Sequence, residues 1–260
     1  MTPAHIEGLL FDMDGVLTVS WRPLPGAVAA FARVQAAGLP LRVVTNTTGR
    51  SRPRMGESLR AAGFDVADEH VMTTPVAAAA YLRERHPGAR VFLLGDAQAE
   101  DLRGVRLVGI DEDPEVILVS GADDSYTFAT FNRVLRALHG GARLVAMHRN
   151  LVWMTTDGEN LDAGAYLAGL EPAAGVEAVV LGKPAPGAFL AAVRDLGLPP
   201  ERVAMIGDDV RGDVLAAQAV GITGVLVRTG KFRPEALARA GGVPDHVIDS
   251  VAGLPELLGL

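Results

Sequence analysis

Short apolar runs alternate along this chain with longer segments rich in Ala, Leu and Arg whose apolar positions recur at helical spacing. The runs at 6–11, 41–44, 178–181, 203–206 and 224–227 predict strands. The segments 26–37, 52–62, 187–196 and 210–220 predict helices, closed by Gly38, Gly63, Gly197 and Gly221. Strands and helices in strict alternation predict an α/β protein with a parallel sheet covered on both faces.

Four of these strands end abruptly in polar residues: Asp12-Met13-Asp14-Gly15, Thr45-Asn46-Thr47-Thr48, Gly182-Lys183-Pro184 and Gly207-Asp208-Asp209. Open α/β sheets bind ligands beyond the carboxyl ends of their strands, so four such tips would converge on one place. The stretch 75–176 carries none of them. It has its own strand-like runs at 91–94, 116–119 and 144–147 and a helical run at 127–138. It reads as an α/β domain inserted into a core made of 1–74 and 177–260, with no internal repeat.

Composition narrows the chemistry. The chain has 260 residues, 49% hydrophobic, enough for a full core with a second domain. A net charge of −7 gives no general attraction to nucleic acid or to anionic membrane. A phosphate site must therefore be built locally. The absence of cysteine excludes disulfides, thiolate metal sites and cysteine nucleophiles. No apolar run reaches the length of a membrane span, and no signal-peptide pattern opens the chain, so a cytoplasmic protein is expected. Of 24 basic residues only Lys183 and Lys231 are lysine.

At the first tip, one carboxylate of the Asp12/Asp14 pair can attack phosphorus while the other handles a proton, and Gly15 permits the tight turn that follows. The plainer reading is an acidic turn after a strand. Thr45 and Asn46 offer a hydroxyl, an amide and backbone N–H groups to phosphate, though Thr-Asn-Thr-Thr also suits a helix N-terminus. Lys183 supplies a compact positive charge, with a solvated surface lysine as the alternative. Asp208 is the best candidate ligand for Mg²⁺. Asp209 and Asp213 can support it from behind, or serve as ordinary acids at a helix start. Lys231, after Arg228-Thr229-Gly230, reads as surface or structural.

In this order the motifs resemble those of the haloacid dehalogenase superfamily: Asp12-x-Asp14-Gly15-Val16-Leu17-Thr18, Thr45 after an apolar strand, Lys183, and Gly207-Asp208-Asp209-x-x-x-Asp213. The resemblance implies a Rossmann-like core in which Asp12 becomes an aspartyl-phosphate. It makes Asp14 the general acid/base, Thr45 and Asn46 phosphate ligands, and Lys183 the charge stabiliser. Mg²⁺ would be held by Asp12, the Asp14 carbonyl and Asp208. Since the insert lies between the second and third motifs, the chain is similar to subclass IIA, with a C2-type cap. Val44-Thr45-Asn46-Thr47-Thr48, Leu161-Asp162-Ala163-Gly164-Ala165-Tyr166 and Val227-Arg228-Thr229-Gly230-Lys231-Phe232 look like its phospholysine/phosphohistidine/pyrophosphate phosphatase branch. Where nucleotidase-like members carry Asn-x-Asp, this chain has Met147-His148-Arg149-Asn150, which argues against a nucleotide substrate.

The resemblance implies a Mg²⁺-dependent phosphatase acting on a small phosphorylated compound, with no nucleic-acid or membrane partner and a possible homodimer through the cap. His148, Trp153 and Asp162 are candidate specificity contacts, or ordinary cap packing. A dehalogenase would need neither Asp14 nor Asp208. The phosphomutase arrangement places its cap where this chain has no room. The alternative from another class is a non-catalytic phospholigand-binding protein on the same fold.

Overall fold

The computed structural model describes residues 6–155 and 158–260. Its contacts divide into two compact units. The first holds the residues up to Thr45, then Arg52–Met72 and Lys183–Leu260; the second holds Asn46–Ser51 and Thr73–Gly182.

The first unit is built on a six-stranded sheet. Its order is His246–Ile248, Thr223–Val227, Val203–Gly207, Gly8–Phe11, Leu41–Thr45 and Val71–Thr73. The pairings from His246–Ile248 through Leu41–Thr45 are parallel. Alternation along a strand sends successive side chains to opposite faces. Leu9 and Phe11 accordingly pack with Phe31, Val43, Ile206 and Val225, under the helices Ala27–Ala36, Arg52–Ala61 and Leu254–Leu258. Leu10 faces the other way, onto Val44, Met205 and Phe189 of the helix Pro186–Leu196. The central strand thus has no polar position until Asp12.

The second unit has a five-stranded, wholly parallel sheet in the order Val179–Val180, Arg143–Ala146, Val116–Val119, Arg90–Leu94, Arg106–Leu107. It too is covered on both faces. The helix Thr74–Arg85 packs on Val116, Leu118 and Val145. The helices Phe128–His139 and Ala163–Ala174 pack on Ile117, Leu144 and Ala146. A hairpin of Val152–Thr155 with Gly158–Leu161 stands apart as a two-stranded ribbon. Among the described residues, no helix is long and apolar enough to cross a membrane.

Two expectations are corrected. The run 178–181 was expected to be a core strand, but Val179–Val180 pairs with Val145 and Ala146 of the second sheet. The ladder continues as the N–H groups of Leu181 and Gly182 bond to Ala146 and Met147. An apolar run between two parallel sheets carries no label for either. Here the helix Ala163–Ala174 returns the chain beside the strand that preceded it, and that pairing wins. The second unit therefore reaches Gly182 rather than 176, and takes in residues 46–51 as well.

The segment 210–220 is likewise not one regular α-helix. Residues Val210–Leu215 form a wide π-helical turn, and only Ala216–Gln218 is α-helical. The cause is local. The Asp209 carboxylate accepts the N–H groups of Arg211 and Gly212, while its carbonyl accepts from both Asp213 and Val214.

Candidate active site

Asp12 lies one residue past the end of the central strand, with its N–H bonded to the Ile206 carbonyl, and it is only 5% exposed. The adjoining strand Val203–Gly207 is followed at once by Asp208, which is 1% exposed. Parallel pairing of Phe11 with Ile206 brings both carboxylates out at the same edge. On the other side Phe11 pairs with Val43, so buried Thr45 leaves its strand just beyond the level of Asp12. Asn46, the next residue, already belongs to the second unit.

Lys183 returns to this edge after the second unit. Its ammonium lies 2.7 Å from Asp12 Oδ1 and 2.8 Å from Asp213 Oδ1, with all three residues buried. Burial alone would lower the Lys183 pKa, but Asp12 and Asp213 overcome it and raise the pKa above the ordinary lysine value. The wide turn after Asp209 is what points Asp213 at this ammonium. Asp12, Asp208 and Asp213 each offer an oxygen within 4.8 Å of the others.

Asp208 is held on one side only. Its Oδ2 accepts the Lys231 N–H at 2.7 Å, whereas Oδ1 is buried without a hydrogen-bond partner. Burial first, then the Asp12 charge, raise its pKa to about 7 against the pull of Lys231. A buried, half-satisfied carboxylate beside a second one is costly unless a cation completes it. That donor set, hard oxygens from two carboxylates, fits Mg²⁺. Asp213 is engaged through both oxygens, Oδ1 by Lys183 and Oδ2 by the Asp209 N–H, whereas Lys183 holds Asp12 through Oδ1, which leaves Asp12 and Asp208 as the carboxylates best placed for the ion.

The cradle around Asp208 is made of glycine. A Cβ on Gly15 or on Gly230 would fall 1.9 Å from Asp208 Oδ2, and both have positive φ. Thr229 closes the cradle by donating its hydroxyl to the Gly15 carbonyl. The Asp14 side chain projects from the same loop and is exposed. Although part of it meets water, its carboxyl lies largely among protein atoms. Desolvation first and Asp12 second raise its pKa to about 6, opposed by Lys231 and Lys183.

Asp209 acts as the cap of the wide turn, as described. Asp162 is also a cap: its Oδ1 accepts the N–H groups of Ala163 and Ala122. It lies 3.9 Å from the Nδ1 of buried His148, which itself accepts the Asn150 N–H. Burial lowers the His148 pKa, with Asp162 and Asp96 opposing. Trp153, the third expected specificity contact, is 47% exposed on the hairpin.

The sequence reading missed the polar ends of the second sheet. Gly95-Asp96, Ser120-Gly121 and His148 follow its central strands as the tips of the core follow theirs. A Cβ on Gly121 would lie 2.6 Å from Thr48 Oγ1 and 2.8 Å from Asp96 Oδ1. Burial raises the Asp96 pKa, offset in part by Thr48 and His148. The signal was present: Leu94-Gly95-Asp96 repeats the apolar-to-acid break seen at Phe11-Asp12.

Residues 9–110 match a family described as haloacid dehalogenase-like hydrolase, and residues 180–254 a HAD-hydrolase-like family. A rat protein named haloacid dehalogenase-like hydrolase domain-containing protein 2 is 37% identical, over 88% of this chain and 86% of its own length. A zebrafish phospholysine phosphohistidine inorganic pyrophosphate phosphatase is 35% identical, over 88% and 85%. The p-nitrophenyl phosphatase of Archaeoglobus fulgidus superposes with a TM-score of 0.90 at 32% identity, covering 96% of this chain and 98% of its own.

Proposed function

The chain belongs to the haloacid dehalogenase-like hydrolases, and we propose that it is a Mg²⁺-dependent phosphatase that passes the phosphoryl group of a small substrate to Asp12 and then to water. The observation that carries this reading is the Asp12 carboxylate, paired through one oxygen with Lys183 and close to the half-satisfied Asp208. The relatives named as phosphatases support it.

The residues divide the work by geometry. Lys183 holds Asp12 through Oδ1, which leaves Oδ2 as the attacking oxygen. Asp12 and Asp208 would hold Mg²⁺, whose positive charge would offset the negative charge on the oxygens of the transferring phosphoryl group. Thr45 stands at the neighbouring strand end to donate to phosphate oxygens. Attack by Asp12 breaks the bond from phosphorus to the leaving oxygen, and Asp14 gives that oxygen its proton. Asp14, now a carboxylate, then takes a proton from the water that cleaves the aspartyl-phosphate. With a pKa raised to about 6, Asp14 retains a usable protonated fraction near neutral pH.

The test is release of inorganic phosphate from nitrophenyl phosphate, an alkyl phosphate, pyrophosphate and a phosphoamidate, with Mg²⁺ and with excess chelator. Release from at least one substrate, abolished by the chelator and restored by Mg²⁺, is the expected result. Undiminished turnover in chelator would remove the metal from the mechanism, and no release from any substrate would favour the phospholigand-binding alternative.

The role of Asp14 gives a separate expectation. Asp14→Asn should slow an alkyl phosphate about 10²–10⁴-fold, the usual range for general acid–base assistance. Nitrophenyl phosphate should lose less, because nitrophenolate departs without a proton. Equal losses for both, with chemistry limiting each rate, would count against Asp14 as the donor.

A further inference from the structure

The only two lysines of a chain that carries 22 arginines both lie at this acidic centre, and they are held in different ways. Lys183 is buried, its ammonium shared between Asp12 and Asp213. Lys231 comes from the loop after Thr223–Val227, the strand beside the one that delivers Asp208. Its backbone is fixed by the bond from its N–H to Asp208, and the loop is tied again by Thr229 to Gly15. Its side chain is exposed, and among the described residues its ammonium makes no direct ion pair. Together with Asp208, Asp209, Phe232 and Arg233 it lines a cavity of about 130 Å³.

Charge says what such an ammonium is for. Asp12, Asp14, Asp208 and Asp213 supply four negative charges when ionised, and the two lysines supply two positive ones. One divalent cation brings the sum to zero. Lys231 is part of that sum: without it the ionised centre would be negative and would repel a phosphate dianion, and of the two ammonium groups it is the one that the protein leaves without a contacting carboxylate. Lys183 has two carboxylates at contact distance; Lys231 has none. A lysine ammonium is charged at neutral pH without help from its neighbours.

We propose that Lys231 is a substrate-binding residue whose ammonium contacts the anionic oxygens of the phosphoryl group. This rests on the phosphatase reading of the same centre. The sequence hid the assignment because Lys183 already filled the single lysine motif, and Lys231 follows a strand whose end carries no acid.

Replacing the side chain leaves the backbone clamp on Asp208 in place, which makes Lys231→Ala a clean test. Inorganic phosphate is titrated calorimetrically into the Mg²⁺-loaded full chain, and Mg²⁺ into the metal-free chain. Lys231→Ala should weaken phosphate binding about tenfold, one contact of roughly 1.4 kcal/mol, while Lys231→Arg should retain most of the affinity. The same Lys231→Ala protein should bind Mg²⁺ at least as tightly as wild type, because a positive charge has left the cation's surroundings. Unchanged phosphate affinity in Lys231→Ala, or parallel loss of Mg²⁺ and phosphate binding, would overturn the assignment. If wild type turns over nitrophenyl phosphate while either result holds, Lys231 alone has been misassigned. A wild type that neither turns over nor binds phosphate overturns the phosphatase reading beneath it.

Discussion

Asp12→Asn is expected to bring phosphate release to background, a loss on the order of 10⁴–10⁶ for removal of a covalent nucleophile. The amide occupies nearly the same volume, and its oxygen can still accept the Lys183 ammonium that now contacts Oδ1 at 2.7 Å. What it lacks is the negative charge needed both to attack phosphorus and to hold a hard cation. The fold should survive, because Lys183 keeps Asp213 as its charged partner. Two measurements separate chemistry from damage. Acid-quenched wild type should carry a phosphoryl adduct by mass spectrometry and Asp12→Asn should not, while their unfolding transitions should lie close together. Wild-type turnover in Asp12→Asn would exclude a covalent mechanism through this residue.

Lys183→Met should be severe in a second way. Removing one partner of a buried ion pair leaves the other charge uncompensated, at a cost of roughly 3–5 kcal/mol. Here two carboxylates, Asp12 and Asp213, are left facing each other. Against a total stability of about 5–15 kcal/mol, that loss is large. It corresponds to a fall in unfolding temperature of roughly 6–20 °C for a unit of this size. Mg²⁺ restores part of the missing positive charge, so it should raise the unfolding temperature of Lys183→Met by more than it raises that of wild type. A variant as stable as wild type, with no added response to Mg²⁺, would show that the ion pair does not govern this centre. Buried ion pairs are weak stabilisers compared with apolar packing of the same volume.

Much of the core was legible in the sequence because its signals are local. Phe11-Asp12 marks the point where a strand buried on both faces meets a polar site, and the glycines after 37, 62 and 196 mark helix ends close to those observed. Val116–Val119 in the second unit matches its expected bounds. The misreadings came from non-local or side-chain-driven structure. Nothing in 178–181 says which of two parallel sheets will accept it. Nothing in the apolar spacing of 210–220 reveals that the Asp209 carboxylate will capture two N–H groups and widen the turn. Asp96 was passed over because it follows an apolar strand without matching a motif, and Lys231 reads as surface or structural because only strand order brings it next to Asp208. For Asp162 the sequence left a specificity contact and ordinary cap packing both open, and its Oδ1 accepts the N–H groups of Ala163 and Ala122.

The order of strands in the first sheet also sets a timetable for making the protein. Gly8–Phe11 is synthesised before the other strands of its sheet, yet it lies between Leu41–Thr45 and Val203–Gly207. Its second neighbour is therefore absent until the whole of Thr73–Gly182 has been made. That stretch holds every strand of its own sheet and can fold while the chain is still growing. The long loop enclosed by the Gly8–Val203 pairing must close before the central strand is covered on both sides. Asp12 and Asp208 meet only at that late step. A nascent chain, or one cleaved before Val203, thus lacks the paired carboxylates that would bind metal, and the chemistry is withheld until the fold is finished.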